Sequence, residues 1–419
     1  MLVGGADRFG VLVASGGAAW EGQVVEALAG AGPGVVLLRR CLDVAELLAS
    51  ASTGSARVAV VSHHLPGLDA DAVAQLARHG VRVLAVSDGR ETERDRLERI
   101  GVAAVLAGVD EAFTVRLREV AVSAREPEAA EGGGIPDVGS PVPEAPTGRL
   151  VAVWGPHGAP GRTTVAVGLA AALAEQGRGT LLLDTDPYGG AVAQHLGITD
   201  EVSGLLAAAR SANAGTLDPR RLAGLARRVG PRLRVLTGLP RPDRWREVRT
   251  TALEELLARA AALEPVVVVD AGPGLETGEE TTLTRDALVT AAVSAADVVV
   301  AVAAADPVGL ARAARALVDL EEVRPGGATC VVVNRWRPGL GWSRDEVREM
   351  LHRLAPAAEV VLVPDDRAGA DRALVSGRAP AEGRESTLSR AVAGLAETVG
   401  TALPGGPPRP RRRRTLLRR

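Results

Sequence analysis

Trp154-Gly155-Pro156-His157-Gly158-Ala159-Pro160-Gly161-Arg162-Thr163-Thr164 follows the apolar run Leu150-Val151-Ala152-Val153 and precedes a helical pattern over Val165–Glu175. A strand, a glycine-punctuated turn, a basic residue, two threonines and a helix make a phosphate-cradling loop. Successive backbone N–H groups and the helix N-terminus face the anion, the basic side chain reaches the outer phosphates, and the Thr163 hydroxyl holds Mg²⁺. The spacing departs from Gly-x-x-x-x-Gly-Lys-Ser/Thr at two positions. Pro156 stands at the first Gly and Arg162 at the Lys.

Two acidic strand ends follow the loop. Thr180-Leu181-Leu182-Leu183-Asp184-Thr185-Asp186 is an apolar strand whose rim carries two acids two residues apart. Pro265-Val266-Val267-Val268-Val269-Asp270 is a buried parallel strand ending in a further acid, with Asp270 facing the water shell of a metal. Loop and acids in this order are more specific together than any one alone.

At 419 residues the chain exceeds one ordinary core and predicts at least two domains. All 49 basic residues are arginine, so part of the choice at Arg162 is compositional. A planar guanidinium nevertheless does not replace the compact charge of an ammonium. The net charge of −2 hides an uneven distribution, because Pro408–Arg419 carries seven arginines and no acid. The remaining body is acidic, which argues against broad, sequence-independent DNA binding, and a specific nucleic-acid partner is not expected either. Cys41 and Cys330 lie far apart, as expected of a reducing compartment without a disulfide framework. Neither a signal peptide nor a bilayer-spanning run is evident, so a cytoplasmic location is expected.

Residues 9 to 123 alternate short apolar runs with amphipathic segments. The strands are expected at Val11–Ala14, Val35–Leu38, Val58–Val61, Val81–Val86 and Val102–Leu106, each followed by a helix. This predicts a doubly wound parallel sheet of flavodoxin-like size. Ser62-His63-His64-Leu65-Pro66-Gly67-Leu68-Asp69, with Val86-Ser87 and Gly101-Val102-Ala103-Ala104-Val105-Leu106, resembles a response-regulator receiver domain. Such domains carry a phosphorylatable Asp where Ser62 stands, paired acids where Ala14, Ser15 and Gly16 stand, and a Lys near Ala107. The resemblance therefore implies a pseudo-receiver used for dimerisation or docking. His63-His64 has no Cys, His or acid at ligand spacing in the sequence and reads as a polar strand end. Residues 124–148 are rich in Pro, Gly and acids without periodicity, as in a flexible linker.

From the loop onward the chain resembles the MinD/ParA family of deviant Walker-A ATPases. Their Lys-Gly-Gly-x-Gly-Lys-Thr-Thr aligns without gaps on His157-Gly158-Ala159-Pro160-Gly161-Arg162-Thr163-Thr164. The resemblance implies ATP and Mg²⁺ as ligands. It assigns nucleotide contacts to His157, Gly158, Ala159, Gly161, Arg162, Thr163 and Thr164, and metal contacts to Thr163, Asp184 and Asp270, with the two acids acting through metal-bound waters. It gives Asp186 the placing of the attacking water, with Arg162 beside it as the second catalytic candidate. Cys330-Val331-Val332-Val333-Asn334-Arg335 matches the stretch whose Asn contacts adenine, and Val361-Leu362-Val363-Pro364-Asp365-Asp366 the loop flanking the base. Hence Asn334, Pro364 and Asp365 complete the expected nucleotide site. The receiver-like front and Arg232-Leu233-Arg234-Val235-Leu236-Thr237-Gly238 resemble the CpaE/TadZ subgroup of pilus-assembly and septum-site proteins.

The expected architecture is α/β with two doubly wound parallel-sheet domains. A flavodoxin-like pseudo-receiver spans 1–123, a linker 124–148, a P-loop NTPase of MinD/ParA type 149–403, and an Arg-rich tail 404–419. In that family two ATP molecules are sandwiched between subunits, and the first Lys of the loop reaches the partner's phosphates. His157 is shorter and mostly neutral, which weakens that contact. Pro160 removes one N–H from the phosphate nest. Arg162 keeps charge on the phosphate without following the transition state, a loss commonly worth ~3 kcal/mol. The functional expectation is a nucleotide-dependent positioning protein, a homodimer recruiting pilus or septum machinery, with slow or absent hydrolysis of ATP to ADP and phosphate. The alternatives are a cycling ParA-type ATPase and a non-catalytic regulatory scaffold. The tail has too few apolar residues for an amphipathic membrane helix, and its arginines suit either transient contact with an anionic leaflet or solvent.

Overall fold

Val- and Leu-rich runs alternating with Ala-rich helical segments build two separate sheets. The computed structural model describes residues 8–32, 34–123, 148–158, 160–199, 202–275, 284–380 and 386–403. Ala159, the expected linker apart from Gly148, and the Arg-rich tail lie outside the described residues. The chain divides into two compact units, one around each sheet.

The first unit runs β1 (Phe9–Ala14), α1 (Glu21–Gly30), β2 (Val35–Arg40), α2 (Val44–Ala51), β3 (Ala56–Ser62), α3 (Ala70–Arg78), β4 (Arg82–Val86), α4 (Glu91–Arg99), β5 (Ala104–Leu106) and α5 (Phe113–Ser123). Its strands pair in parallel in the order β2-β1-β3-β4-β5. This is the flavodoxin-like winding expected from the strand–helix alternation. Successive residues of a strand point to opposite faces, so the strands feed two cores. Leu12, Ala59 and Val61 pack with Leu76 and Leu97 on one face, while Val11, Val13 and Val60 pack with Phe113 and Leu117 on the other.

The second unit continues with β6 (Arg149–Trp154), α6 (Arg162–Glu175), β7 (Thr180–Asp184), α7 (Val192–His195), α8 (Gly204–Asn213), α9 (Pro219–Leu225), β8 (Arg227–Arg228) and β9 (Leu233–Leu236). Then come a 3₁₀ turn at Pro242–Glu247, α10 (Thr250–Leu263), β10 (Val266–Asp270), α11 (Arg285–Ala295), β11 (Val298–Ala304), α12 (Pro307–Val323) and β12 (Ala328–Trp336). The chain ends with α13 (Arg344–Leu354), β13 (Glu359–Pro364), α14 (Arg367–Ser376) and α15 (Thr387–Ala402). The sheet order is β13-β12-β11-β6-β10-β7-β9-β8. Every pair is parallel except β8 with β9, an edge the sequence reading did not foresee. The Val229–Arg232 connection is too short for a parallel crossover, so the chain folds straight back.

Helix α6 is buried along Val165–Leu173, as its near-uniform apolar sequence requires. It begins at Arg162, three residues before the expected Val165, and packs between the sheet and α15. A Cβ on Gly168 would lie 2.9 Å from Val392 Cγ1, so this glycine lets the two helices approach. No described helix is long and apolar enough to cross a membrane.

Asp366 fastens α14 to α15. Its carboxylate caps α14 by accepting from Gly369 N at 2.8 Å, and also accepts from Leu388 N at 3.1 Å and Thr387 Oγ1 at 2.9 Å. The Gly369 and Leu388 amides, more than any other cause, pull its pKa down to about 2. A depressed carboxyl contributes stability that is complete above its unfolded value and lost as pH falls through its folded one. Asp366→Ala is therefore expected to lower stability at pH 7 by about 1–2 kcal/mol. Denaturant titrations should show wild type and variant converging as pH falls from the ordinary carboxyl value, 3.8, toward about 2.

Candidate functional site

Strand β6 lies in the middle of the sheet, between β11 and β10, and delivers the loop at its C-terminal end. Two glycines shape that loop. A Cβ on Gly155 would stand 2.2 Å from the Val302 carbonyl oxygen, because the backbone presses against β11. Gly161, at φ +97°, occupies the left-handed region as N-cap of α6, and a Cβ there would meet Asn334 Nδ2 at 2.3 Å. The left-handed turn places Arg162, Thr163 and Thr164 in the first helical turn. Backbone N–H groups of a first turn have no partner within their helix and point at any anion seated there.

The acids converge beside this turn. Parallel pairing of β10 with β7 sets Asp270 directly opposite Asp184. Asp184, Asp186 and Asp270 are all buried, and neither carboxylate oxygen of Asp270 has a hydrogen-bond partner among the described residues. Asp184 accepts from Asp186 N at 3.3 Å and Val192 N at 3.2 Å. Burial first, and the neighbouring Asp186 charge second among the raising causes, push its pKa to about 7. Burial and the Asp184 charge push Asp270 well above the ordinary range. The Thr163 hydroxyl favours its charged form without reaching hydrogen-bonding geometry, and the Arg162 charge pulls the same way. Two hard, anionic oxygen donors with a hydroxyl at the adjacent helix start fit Mg²⁺, a small cation that suits oxygen ligands and neutralises close carboxylates.

Glycines enclose the acids, a feature absent from the sequence reading. A Cβ on Gly190 would lie 1.9 Å from Asp184 Oδ1, and one on Gly238 2.5 Å from Asp184 Cγ. A Cβ on Gly272 would lie 2.9 Å from Asp186 Oδ1. The available signal was the Gly189-Gly190 pair and the Thr237-Gly238 strand end, neither of which can be tied to Asp184 without the fold.

Arg162 turns inward over its own loop. Its Nη1 donates to the Pro156 and Gly155 carbonyls at 3.0 and 3.3 Å, and its Nη2 lies 3.7 Å from Asp186 Oδ2. Asn334 likewise serves the loop, donating from Nδ2 to the Pro160 carbonyl at 2.7 Å while its Oδ1 accepts from Arg335 N at 2.9 Å. Arg335 has φ +61° at an irregularity in the β12 register, a strained backbone of the kind that gathers at functional sites. Thr164 Oγ1 faces His195 Nε2 at 3.3 Å.

The remaining expected contacts lie further out. His157 and Gly158 are exposed. The His157 ring sits edge-on to Tyr188 with centroids 5.7 Å apart. Tyr188 in turn donates to Asp286 Oδ1 at 2.6 Å. Arg312, unforeseen from sequence, reaches from α12 to the His157 carbonyl at 3.3 Å. Pro364 and Asp365 end β13 on the sheet's outer edge, and neither shares a hydrogen bond or ion pair with the loop among the described residues.

No family model matches the chain, and no curated protein matches its sequence. Solved structures match its fold. A Pyrococcus furiosus cell division ATPase MinD superposes with a TM-score of 0.50 at 19% identity, covering 61% of this chain and 99% of that one. A ParA family ATPase from Chlorobium tepidum gives 0.51 at 18% identity, with 60% and 99% covered. Only the second unit is large enough to supply that share. Its fold is that of the MinD/ParA-type P-loop NTPases.

Two substitutions probe the acid cluster. A carboxyl whose folded pKa is raised gives stability that is present at low pH and lost as pH rises through the folded value. Asp270→Asn should therefore raise the melting temperature of the metal-free protein at pH 8, and the gain should shrink toward pH 4. The same variant should lose stabilisation by added Mg²⁺ with nucleotide. Gly190→Ala should push Asp184 aside and weaken Mg²⁺-dependent nucleotide binding at least tenfold by calorimetry, with Gly177→Ala, in open space at a positive φ, as the strain control.

Proposed function

We propose that the second unit binds ATP with Mg²⁺ and turns it over slowly or not at all. The chain would then serve as a nucleotide-dependent positioning protein of the CpaE/TadZ type, in pilus assembly or septum-site placement. The observation carrying this reading is the pairing of a complete acid set with an Arg162 that is tied to its own loop. The likeness in fold to MinD and a ParA family ATPase supports the ligand class.

In this mechanism the first-turn amides of α6 would bind the phosphates, and Thr163 would hold Mg²⁺, with Asp184 and Asp270 acting through metal-bound waters. Bound Mg²⁺ supplies neutralisation of the charge on the β- and γ-phosphate oxygens. Asp186 orients the attacking water, yet its free oxygen faces Arg162 at 3.7 Å. For Arg162 to stabilise charge on the transferred phosphoryl group, its guanidinium must leave the two loop carbonyls. A contact already made in the ground state does not accelerate the reaction. Asn334 must leave the Pro160 carbonyl to contact adenine, while Pro364 and Asp365 flank the base from the neighbouring strand end.

The homodimer expected of this class would close over the exposed face of the loop, where His157 gives a shorter, weaker contact across the interface than Lys. The first unit would act as a pseudo-receiver for dimerisation or docking, since Ser62 and Ala14-Ser15-Gly16 provide no acceptor or metal carboxylates at the usual places. The tail would add transient contact with an anionic membrane surface. A cycling ParA-type ATPase is the second reading; the loop chemistry at His157 and Arg162 favours the positioning protein over it, and the three retained acids favour the positioning protein over a non-catalytic scaffold.

Calorimetry and steady-state phosphate release separate the readings. Wild type should bind ATP–Mg²⁺ with one site per chain, and Arg162→Ala should weaken binding at least tenfold. Arg162→Lys should raise turnover roughly a hundredfold, the usual worth of one transition-state contact. Wild-type hydrolysis as fast as that of the Lys variant would establish the cycling ATPase instead. No measurable ATP affinity would leave only the scaffold.

A further inference from the structure

In the first unit, the turns after β3 and β4 bring together three groups that are remote in sequence. His63 and His64 follow β3, and Asp88 follows β4. One ligand atom from each lies within 4.8 Å of the other two. The sequence alone places no acid beside the histidine pair, and its reading as a simple polar strand end changes once parallel pairing sets Ser62 against Val86.

His63 is the fixed member. It is 7% exposed, and its backbone is pinned at both ends, with N donating to the Val86 carbonyl at 3.1 Å and O accepting from Arg96 Nη2 at 2.7 Å. Nδ1 lies 3.2 Å from the same Val86 carbonyl. A carbonyl only accepts, so Nδ1 carries the ring proton and Nε2 presents a lone pair. That Nε2 is buried without a hydrogen-bond partner among the described residues and lies 3.9 Å from Asp88 Oδ1. A lone pair facing a carboxylate is unfavourable unless a cation stands between them.

The His64 ring lies tilted by 39° to that of His63 with centroids 3.6 Å apart, which sets two imidazoles side by side as ligands. Arg90 Nε takes Asp88 Oδ2 at 3.0 Å, and the Arg90 backbone N donates to Oδ1 at 3.3 Å, which holds Oδ1 on the side of His63 with a lone pair to spare. A histidine whose far nitrogen donates to a backbone carbonyl has the orientation usual for a metal ligand. Exposed His64 and Asp88 can move the remaining distance, because tetrahedral ligands at about 2.1 Å from Zn²⁺ stand closer together than these atoms do.

We propose that His63 Nε2, His64 and Asp88 form a divalent transition-metal site, suited to Zn²⁺ with a fourth position open to water. Two imidazoles and one carboxylate select such an ion over Mg²⁺ or Ca²⁺. Binding ties the β3–α3 turn to the β4–α4 turn, so occupancy stiffens one end of this sheet. No carboxylate at the end of β1 or β3 takes part.

The test uses tag-free full-length protein in millimolar Mg²⁺, which occupies hard oxygen sites and leaves imidazoles free. Calorimetric titration with ZnCl₂ should give one site with micromolar or tighter affinity, and Co²⁺ should give tetrahedral absorption bands. His64→Ala removes an exposed ligand without disturbing the core and should weaken Zn²⁺ binding roughly a hundredfold, with Asp88→Asn weakening it at least tenfold, the lower end of the range for disturbed metal sites. His157→Ala should retain the site. No Zn²⁺ binding, equal binding by wild type and the His64 and Asp88 variants, or loss with His157→Ala would each overturn the assignment.

Discussion

Asp184 and Asp270 lie side by side on adjacent parallel strands, buried and, among the described residues, without a basic partner for Asp270 in hydrogen-bonding reach. Two close carboxylates in a dry interior resist ionising together, which is why both pKa values rise. The surrounding structure is arranged around this pair. Gly190 and Gly238 crowd Asp184 so that neither position has room for a Cβ, the α6 N-terminus brings Thr163 alongside, and Arg162 sets a positive charge 3.7 Å from Asp186. Two like charges held this close gain stability when a cation neutralises them. Under the proposed function, metal and nucleotide binding would thereby be coupled to folding of the acid cluster.

Arg162 links the pair to the loop, and its hydrogen bonds alter what the loop can do. A lysine at this place would reach outward as a point charge. The guanidinium instead bridges two carbonyls of its own loop and approaches Asp186, which stiffens the turn. Asn334 props the same turn from β12 through Pro160, at the cost of a left-handed Arg335. Arg312 supports it from α12. A turn tied down by Arg162, Asn334 and Arg312 suits holding a ligand better than changing shape with a reaction.

The first unit follows a different logic on a similar scaffold. Its parallel sheet has the flavodoxin-like order, but the strand ends that would carry acids carry Ala14 and Ser62. Chemistry-bearing groups gather one strand further along, at the ends of β3 and β4.

Local pattern determined much of this protein. Apolar runs bounded by turns located the central strands, and the glycines and threonines of residues 155–164 located the phosphate-type loop, because these depend only on neighbours in the chain. The departures at Pro156, His157, Pro160 and Arg162 were equally legible. Tertiary structure decided the rest. It set the helix start at Arg162 through the left-handed Gly161, folded β8 back against β9, turned Arg162 and Asn334 onto loop carbonyls, and brought Arg312 to His157. It also placed Gly190 against Asp184 and Asp88 against His63. The physical reason is that hydrogen bonds, charge and burial act over a few ångströms of space, and parallel crossovers make neighbours of residues that sequence keeps far apart.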